Sequence, residues 1–515
     1  MTFKFSPQQQ AVANFIMNGK GSANVIARAG TGKTFTLVNG GVQKIVQNRL
    51  GSVAIMAFNK SAAVEFQTRL EALGINTKNG VVQSGTVHSF GWAACRKWAG
   101  KPRWKAWGGK CWKICQQLAE ADTVETEKSI YHTESRVIQQ LVGLAKSTGI
   151  GFSKAIDDAS AWLDLIDKFS IEPNQDLGTD TIIRAGIKVL NESIAQNSHT
   201  MDFDDMIHAP LYHNMPMPQF DFVLIDEAQD TNPARRALAL KMLKPKGRLI
   251  AVGDDRQAIY GFTGADADAL DLIADEVDAI TLPLTVTYRC PKAVVAEANR
   301  IVPDLEAHPD APEGIVRTLP YVNADKSLFF ANEPLKTTDG VICRNVAPLL
   351  ELAYSLLAKR ISCRVEGRDI GENLIALATR FKAAGLADLI DNLNEWRDRE
   401  VQKWQAKERY NLAQSAEDRA TALIYLSTSL TNDGKTEIGD LTRWIKEMFD
   451  DKKRNVVTLT TIHKSKGREW PRVFFLHRNQ LLPSKWAKKA WEKEQEANLE
   501  YVGITRSQDE LIFVD

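Results

Sequence analysis

The sequence predicts an α/β protein with two parallel-sheet lobes, and three observations lead to this prediction. Short apolar, β-branched runs recur along the 515-residue chain and are separated by segments with helical periodicity, as is typical of buried parallel strands. The early runs end in polar or glycine-rich motifs. Two long helical stretches, at about residues 93–197 and 372–450, interrupt the strand pattern. We therefore expect each lobe to carry an inserted helical subdomain.

The first lobe is predicted from four early runs, which cover residues 24–27, 53–58, 220–225 and 248–252. Ligands of open parallel sheets bind at the carboxyl ends of the strands, and each of these runs ends in a candidate motif. This lobe is expected to comprise residues 1–92 and 198–283, with 93–197 as its helical insertion.

The second lobe is predicted from four later runs, which cover residues 340–343, 456–461, 473–476 and 511–514. None of them carries a glycine-rich phosphate loop. We expect this lobe to comprise residues 284–371 and 451–515, with 372–450 as its helical insertion.

Composition and charge exclude several classes of protein. The chain is 44% hydrophobic and 25% charged, with 65 Lys and Arg against 64 Asp and Glu. These values exclude a disordered chain and a uniformly basic, histone-like protein, although a local basic groove remains compatible with nucleic-acid binding. No stretch approaches the roughly 18–20 apolar residues of a membrane span, and the first ten residues lack a signal pattern. We expect a soluble, cytoplasmic protein without a membrane partner.

A phosphate-binding loop follows the first strand. Residues 27–34 read Ala-Arg-Ala-Gly-Thr-Gly-Lys-Thr and precede a helical stretch, which is the P-loop pattern with alanine in place of the first glycine. Lys33 is expected to reach the β- and γ-phosphates, and Thr34 to hold Mg²⁺. Small residues allow backbone N–H groups to surround the phosphates, and this role is assigned to Ala29, Gly30, Thr31 and Gly32.

A pair of acids follows the apolar run 222–225. Asp226 is predicted to ligate Mg²⁺ and Glu227 to orient the attacking water, which is the Walker B arrangement. Together with the phosphate loop, these acids indicate an ATP hydrolase whose cofactors are ATP and Mg²⁺.

Six further segments complete an ordered motif set. They are FSPQQ at 5–9, GTVHSF at 85–90, GDDRQAIYGF at 253–262, TYR at 287–289, TIHKSKGRE at 461–469 and YVGITR at 501–506. In this order the motifs resemble those of the UvrD/Rep-like superfamily 1 helicases. The resemblance implies two RecA-like, P-loop NTPase-type lobes. Arg28 departs from the family's pattern, because it occupies a position where glycine is usual.

The resemblance implies further nucleotide-binding residues. The adenine edge would be read by Gln9, with Gln8 as the alternative, and the γ-phosphate would be sensed by Gln257. In the second lobe the residues implied are Tyr288 on the adenine, Arg289 and Arg506 as γ-phosphate arginines, and Gly467 and Glu469 in the ribose-binding motif.

The resemblance also implies residues that bind DNA. They are Phe58 and Asn59 after the second strand, Thr86 and His88 in the TVHSF motif, Tyr260 and Phe262 as base-stacking aromatics, and His463 in the second lobe. For the two histidines, a purely structural role is the alternative.

A tryptophan-rich basic stretch, residues 92–113, begins the first insertion. It contains five tryptophans and seven lysines or arginines, and it contains no acidic residue. Alternating aromatic and basic residues suit single-stranded nucleic acid, because bases stack on rings and phosphates pair with cations. Trp104 and Lys105 are the candidates on this interpretation. The alternative is a helical core of tryptophans with a solvated basic face, and the sequence leaves both open.

The leading hypothesis is therefore an ATP-dependent helicase or translocase that moves on single-stranded DNA and acts at single-strand/duplex junctions. The resemblance implies 3′→5′ movement. One alternative is a DNA-stimulated ATPase that displaces proteins from DNA without processive unwinding. A non-motor P-loop phosphotransferase is the other alternative, and it would leave the Tyr288-Arg289 and Arg506 elements unexplained.

Overall fold

The chain folds into two compact units in the computed structural model. The structure describes residues 4–77, 80–101, 103–121, 129–169, 171, 178–259, 266, 268–320, 334–406, 409–450 and 452–515. The first unit comprises Met1–Ala27 and Gly32–Leu284, and the second comprises Arg28–Thr31 and Thr285–Asp515.

The first unit is built on a six-stranded sheet in which every neighbouring pair is parallel. The strand order is β3-β2-β4-β5-β1-β6. The strands are β1 (Ala23–Ala27), β2 (Val53–Ala57), β3 (Val82–Thr86), β4 (Phe220–Ile225), β5 (Leu243–Gly253) and β6 (Ile280–Leu284).

Helices cover this sheet and form its insertion. Those that connect the strands are α1 (Pro7–Asn18), α2 (Lys33–Phe35), α3 (Gln43–Gln47) and α4 (Lys60–Ala72). A π-helical segment, Thr36–Val42, joins α2 to α3. Between β3 and β4 lie α5 (Val87–Trp98), α6 (Lys110–Glu120), α7 (Ile130–Thr133), α8 (Ser135–Thr148), α9 (Ala159–Phe169), α10 (Thr179–Ala195) and α11 (Asp205–Tyr212). Two more helices follow β4 and β5, namely α12 (Pro233–Lys241) and α13 (Ala269–Glu276).

Both faces of the first sheet are buried, which explains why its central strands are apolar throughout. On β2, Ile55 packs in the cluster that contains Ile16 of α1, whereas its neighbours Ala54 and Met56 pack in a second cluster with Leu238 of α12. Successive residues of a strand point to opposite faces, so two buried faces require an unbroken apolar run.

The second unit repeats the architecture with another all-parallel sheet of six strands. The order is β11-β12-β10-β13-β14-β9, and β7 pairs separately with β8. The strands are β7 (Val286–Thr287), β8 (Glu306–Ala307), β9 (Ile315–Leu319), β10 (Gly340–Cys343), β11 (Cys363–Val365), β12 (Val457–Thr461), β13 (Trp470–Leu476) and β14 (Ser507–Val514).

Four of the second unit's helices lie between β11 and β12 and share one buried core with the sheet. They are α16 (Arg368–Arg380), α17 (Leu386–Ala406), α18 (Tyr410–Asn432) and α19 (Ile438–Met448). The remaining helices are α14 (Lys292–Ala298), α15 (Ala347–Ala358), α20 (Ile462–Ser465), α21 (Arg478–Leu481) and α22 (Ala490–Ile504). Among the described residues, no helix has the length and apolar character that a membrane crossing needs.

The predicted fold class, two parallel-sheet α/β lobes with helical insertions, is confirmed. The apolar runs correspond to the central strands. The four edge strands of the two sheets, β3, β6, β9 and β11, were not predicted as strands, because their sequences, VQSGT, ITLPL, IVRTL and CRV, are not continuous apolar runs. An edge strand can remain partly exposed and therefore lacks the continuous apolar signal. The domain boundaries given by the sequence stay predictions.

A buried cluster of charged side chains connects helices α6, α8 and α11. Asp205, which is fully buried, accepts from Lys110 Nζ at 2.6 Å and lies 2.7 Å from Lys146 Nζ. Lys146 also contacts Asp202, at 2.9 Å. Burial alone would raise the pKa of the Asp205 carboxyl, but the two ammonium groups outweigh it and hold that pKa below its usual range.

We expect Asp205→Asn to destabilise the protein strongly, because it removes the carboxylate paired with the buried Lys110 ammonium and leaves Lys146 with Asp202. Breaking a buried ion pair costs about 3–5 kcal/mol. The measurement is thermal and urea unfolding followed by tryptophan fluorescence. Glu65→Gln is the matched control, since its pair with Arg69 is about half exposed and such pairs contribute about 0–1 kcal/mol. Equal stability of the two variants would contradict this role for the cluster.

Candidate active site

The phosphate-binding loop connects β1 to the helical segment that begins at Lys33. Gly30 and Gly32 have φ angles of +73° and +80°, a conformation that residues with a side chain rarely adopt. Gly32 is the residue immediately before the helix and has no side-chain cap. A glycine turn at a helix N-terminus is a geometry that binds phosphate groups.

Lys33 forms an ion pair with Glu227 at the carboxyl ends of β1 and β4. Its Nζ lies 3.0 Å from Glu227 Oε1 and 3.2 Å from Oε2. Burial alone would lower the pKa of Lys33, but the charges of Glu227, Asp254 and Asp226 outweigh it, so the pKa is raised. The predicted phosphate lysine and the predicted base are therefore adjacent, and Lys33 is held protonated.

Asp226 is suited to hold a cation. Its side chain is buried, and its Oδ1 atom has no hydrogen-bond partner among the described residues. Burial and, second, the charge of Glu227 raise the pKa of Asp226 to about 7. Within the described residues, no group of three or more Asp, Glu, His or Cys side chains is placed to hold a metal ion by itself. Mg²⁺ commonly uses one or two protein ligands together with phosphates and water, so Asp226 fits an Mg²⁺ that accompanies a nucleotide, and the metal role of Thr34 stays a prediction.

Gln229 links the acid pair to the neighbouring strand end. Its Nε2 donates to Glu227 Oε2, and its Oε1 accepts from the backbone N–H of Asp254 at 3.0 Å. Asp254 Oδ2 in turn accepts from Gln257 Nε2 at 2.7 Å. Glu227, the predicted base, is thus connected to Gln257, the predicted γ-phosphate sensor, through Gln229 and Asp254. Sequence reasoning missed Gln229, although its place within the acid motif was a usable signal.

Gln9 lies beside the phosphate loop. Its Oε1 accepts from the backbone N–H of Ser6, and the Ser6 hydroxyl accepts from the Gln9 N–H, both at 3.1 Å. This reciprocal cap fixes the start of α1. The Gln9 side chain lies against Gly32 of this loop, since a Cβ atom built on Gly32 would lie 3.0 Å from Gln9 Nε2. Gln9 is buried and Gln8 is half-buried, and the adenine role of either glutamine stays a prediction.

The second unit brings its own predicted ATP residues together. Arg289 pairs with Glu469, and its Nη1 donates to the Thr505 carbonyl at 3.3 Å. Arg506 is 1% exposed and donates to three groups of its own unit, including the Thr505 hydroxyl at 3.2 Å. Tyr288 is 46% exposed and packs on the imidazole ring of His308, with ring centres 4.9 Å apart. Arg506 therefore has a structural function in this conformation, and its predicted phosphate contact stays a prediction.

Contacts within the second unit also hold Arg28–Thr31. The Arg28 guanidinium pairs with Asp304 at 2.9 Å, which accounts for an arginine at a position where glycine is usual. The Ala29 N–H donates to the Tyr501 hydroxyl at 3.0 Å. This N–H is consequently engaged by a protein group in this conformation, whereas it was predicted to contact phosphate.

The candidate DNA-binding residues of the first unit follow β2 and β3. Asn59 and Thr86 are the N-caps of α4 and α5, and their side chains accept from backbone N–H groups at 2.9 and 3.2 Å. Burial, and then the charge of Arg235, lowers the pKa of His88 to about 4. The same Arg235 guanidinium lies 5.1 Å from the centre of the Phe58 ring. Sequence reasoning missed Arg235, which no motif marks.

The second unit contains a similar turn after β12. The Thr461 hydroxyl accepts from the Lys464 N–H at 3.4 Å, as Thr86 does from Ser89 in the first unit. Burial, and then Arg344, lowers the pKa of the half-buried His463 to about 3. Tyr260 and Phe262, the predicted base-stacking aromatics, lie outside the described residues.

The tryptophan-rich stretch is partly core and partly surface. Trp104 packs on Trp92 with ring centres 5.3 Å apart, against a small buried cluster that includes Cys95 and Met201. Lys105 is exposed. The rings that face solvent are Trp98, Trp107 and Trp112, which are 41%, 45% and 50% exposed. Trp104 is thus in part a core residue. Trp98 already stacks on the ring of His213, with ring centres 4.9 Å apart, which leaves Trp107 and Trp112 as the exposed rings that could stack on bases.

Comparison with known families agrees with this arrangement. The model of the UvrD/REP helicase N-terminal domain matches residues 5–278, which is more than half of the chain. The chain belongs to the UvrD/REP helicase family. The model of the UvrD-like helicase C-terminal domain matches residues 340–514, so the two matches together include the strands of both large sheets except β6 and β9.

Similar proteins of the UvrD/REP family come from bacteria. The ATP-dependent DNA helicase UvrD1 of Mycobacterium tuberculosis is 26% identical over 398 residues, which cover 70% of this chain and 47% of UvrD1. UvrD2 of the same species is 23% identical, over 96% of this chain and 76% of UvrD2. The putative helicase YjcD of Bacillus subtilis is 32% identical over 26% of this chain and 20% of YjcD. The chain thus matches less than half the length of UvrD1.

We expect Lys33→Ala to abolish ATP hydrolysis, because the charge that faces the phosphates is lost. Glu227→Gln should still bind ATP but hydrolyse it very slowly, because only the group that orients water has changed. Steady-state hydrolysis and binding of a fluorescent ATP analogue check both expectations. Near-normal turnover in either variant would contradict the site.

Gln229→Leu should lower kcat roughly tenfold while the affinity for ATP changes little. The substitution removes two hydrogen bonds that hold Glu227 and Asp254, each worth about 0.5–1.5 kcal/mol, and leucine has a similar volume. Gln229→Glu is the companion variant, because it keeps the acceptor for Asp254 N–H but places a carboxylate against Glu227. If the leucine variant raised KM and left kcat unchanged, Gln229 would not position the base.

Proposed function

We propose that this protein is an ATP- and Mg²⁺-dependent DNA helicase that translocates 3′→5′ on single-stranded DNA. The observation that carries the proposal is the grouping at one sheet edge of the first unit. There Lys33 pairs with Glu227, and Gln229 and Asp254 connect Glu227 to Gln257. The similarity to UvrD1 and UvrD2, both ATP-dependent DNA helicases, supports the same function.

The Lys33–Glu227 pair suggests how hydrolysis starts. In this structure the two side chains neutralise each other. The phosphates of bound ATP carry more negative charge than one carboxylate and would draw Lys33 to themselves. Glu227 would then be released to orient water toward the γ-phosphate, with Mg²⁺ held by Asp226 and Thr34. The hydrogen bond from Gln229 would keep the released carboxylate in position.

Single-stranded DNA is the proposed track. Phe58, Asn59, Thr86 and His88 lie at strand ends of the sheet that also carries Lys33 and Glu227. Arg235 adds a positive charge beside Phe58. The tryptophan-rich stretch also contains the exposed rings of Trp107 and Trp112 and the exposed Lys97, Lys101 and Lys105, which are the residue types that stack on bases and pair with phosphates.

Unwinding of tailed duplexes tests this function. We expect ATP- and Mg²⁺-dependent strand separation of a duplex with a 3′ single-stranded tail, little separation of one with a 5′ tail, and none with Lys33→Ala. Unwinding from 5′ tails alone would contradict the polarity. Failure on both substrates, combined with ATP-dependent removal of a protein block from single-stranded DNA, would favour the protein-displacing ATPase instead.

A further inference from the structure

An ion pair fixes the beginning of the phosphate loop. Arg28 Nε lies 2.9 and 3.0 Å from the two carboxylate oxygens of Asp304, and Arg28 Nη2 lies 2.9 Å from Asp304 Oδ2. Asp304 belongs to the segment between α14 and β8. The Arg28 carbonyl accepts from the Thr31 hydroxyl at 2.9 Å. The arginine therefore connects the turn of the loop to a carboxylate that is distant in sequence.

The two residues that follow Arg28 are also held by protein groups. The Ala29 N–H donates to the Tyr501 hydroxyl at 3.0 Å, and the Gly30 carbonyl accepts from the Tyr288 N–H at 2.9 Å. Gly30 packs so closely against this segment that a Cβ atom built on it would overlap the Thr287 hydroxyl. The loop backbone is thus engaged at two successive residues.

The ion pair is the one charged contact among those just described. Hydrogen bonds between ionised groups are about twice as strong as neutral ones, and the two-pronged geometry of this pair adds specificity. The Arg28 side chain is 10% exposed, whereas that of Asp304 is 50% exposed. Water can therefore hydrate the carboxylate when the pair separates. The contact is strong enough to position the loop, and it can still open.

This position of the loop competes with phosphate binding. Phosphate groups bind to backbone N–H groups of such a loop, and the Ala29 N–H is one of those predicted to serve them. Here the same N–H donates to Tyr501. One N–H cannot make a good hydrogen bond in both directions, so a phosphate that uses it must first draw the loop away from the Tyr501 hydroxyl.

We propose that the Arg28–Asp304 pair is a latch that holds the phosphate loop against Tyr501 and thereby lowers the affinity for the phosphates of a nucleotide. The proposal deepens the proposed function and rests on it for the identity of the ligand. Arg28 and Asp304 are positioning residues, because they act through the loop. A protein whose binding-competent conformation is only partly populated has an apparent affinity reduced by that fraction.

The test is the affinity of Asp304→Asn for a fluorescent ATP analogue in the presence of Mg²⁺. We expect this variant to bind the analogue about fivefold more tightly than the wild type, which is the low end of ordinary coupling between two sites. Asp304→Glu keeps the carboxylate and should bind as the wild type does. A purely structural pair would give the opposite sign, because its loss would weaken binding or leave the affinity unchanged.

A double-variant cycle shows whether Arg28 and Asp304 act as one unit. Arg28→Gly and Arg28→Gly/Asp304→Asn should both bind the analogue as tightly as Asp304→Asn, because each of them breaks the same pair. Independent effects would instead multiply in the double variant, and that result would contradict the latch.

Tyr501→Phe tests the competition for the Ala29 N–H. Removal of the hydroxyl leaves this N–H to a phosphate, so the affinity for the ATP analogue should rise here as well. An affinity equal to that of the wild type would overturn the proposed competition.

The matched control is Asp440→Asn on α19, which makes the same substitution in a pair with Arg443 at 3.1 Å. It should bind the analogue with wild-type affinity. Unchanged or weaker binding by Asp304→Asn, with or without a lower melting temperature, would overturn the proposal, and so would tighter binding by the control. Failure of the proposed function gives a different result: the latch variants would bind more tightly as expected, but the wild type would not unwind a tailed duplex.

Discussion

The parallel alignment of all six strands in each sheet is the constraint on which the candidate site depends. Parallel strands end at the same edge, so residues that are distant in sequence become neighbours there. In the first unit, this brings Lys33 after β1 against Glu227 after β4, with Asp254 after β5 beside them. The connecting helices bury both faces of the sheet, which keeps the strand ends fixed.

Within that edge, electrostatics decides the protonation states. Lys33 stays charged because three carboxylates surround it, whereas Asp226 has a raised pKa because it is buried beside another acid. Asp226 Oδ1 is buried and has no hydrogen-bond partner among the described residues. Burying such an oxygen is unfavourable unless a cation binds it. In the proposed function, a nucleotide and Mg²⁺ would supply that charge. Gln229 donates to Glu227 and accepts from the Asp254 N–H, and thereby connects the two acids.

The sequence was sufficient for the central strands and for the phosphate loop, because buried strands require apolar runs and phosphate loops require glycine at positive φ. Other features had no local signal. The edge strand β3 is partly polar, and Arg235 reaches Phe58 only because the fold brings α12 beside the end of β2. Trp104 could not be separated from its exposed neighbours either, because helical periodicity does not determine which ring meets Trp92.

The rate of ATP hydrolysis with and without single-stranded DNA tests the central claim most directly, namely that one sheet edge serves both nucleotide and DNA. The account predicts that saturating oligothymidylate increases kcat several-fold in the wild-type protein. It also predicts that Arg235→Ala raises the DNA concentration needed for half-maximal stimulation. An ATPase rate that is the same at every DNA concentration would contradict the account.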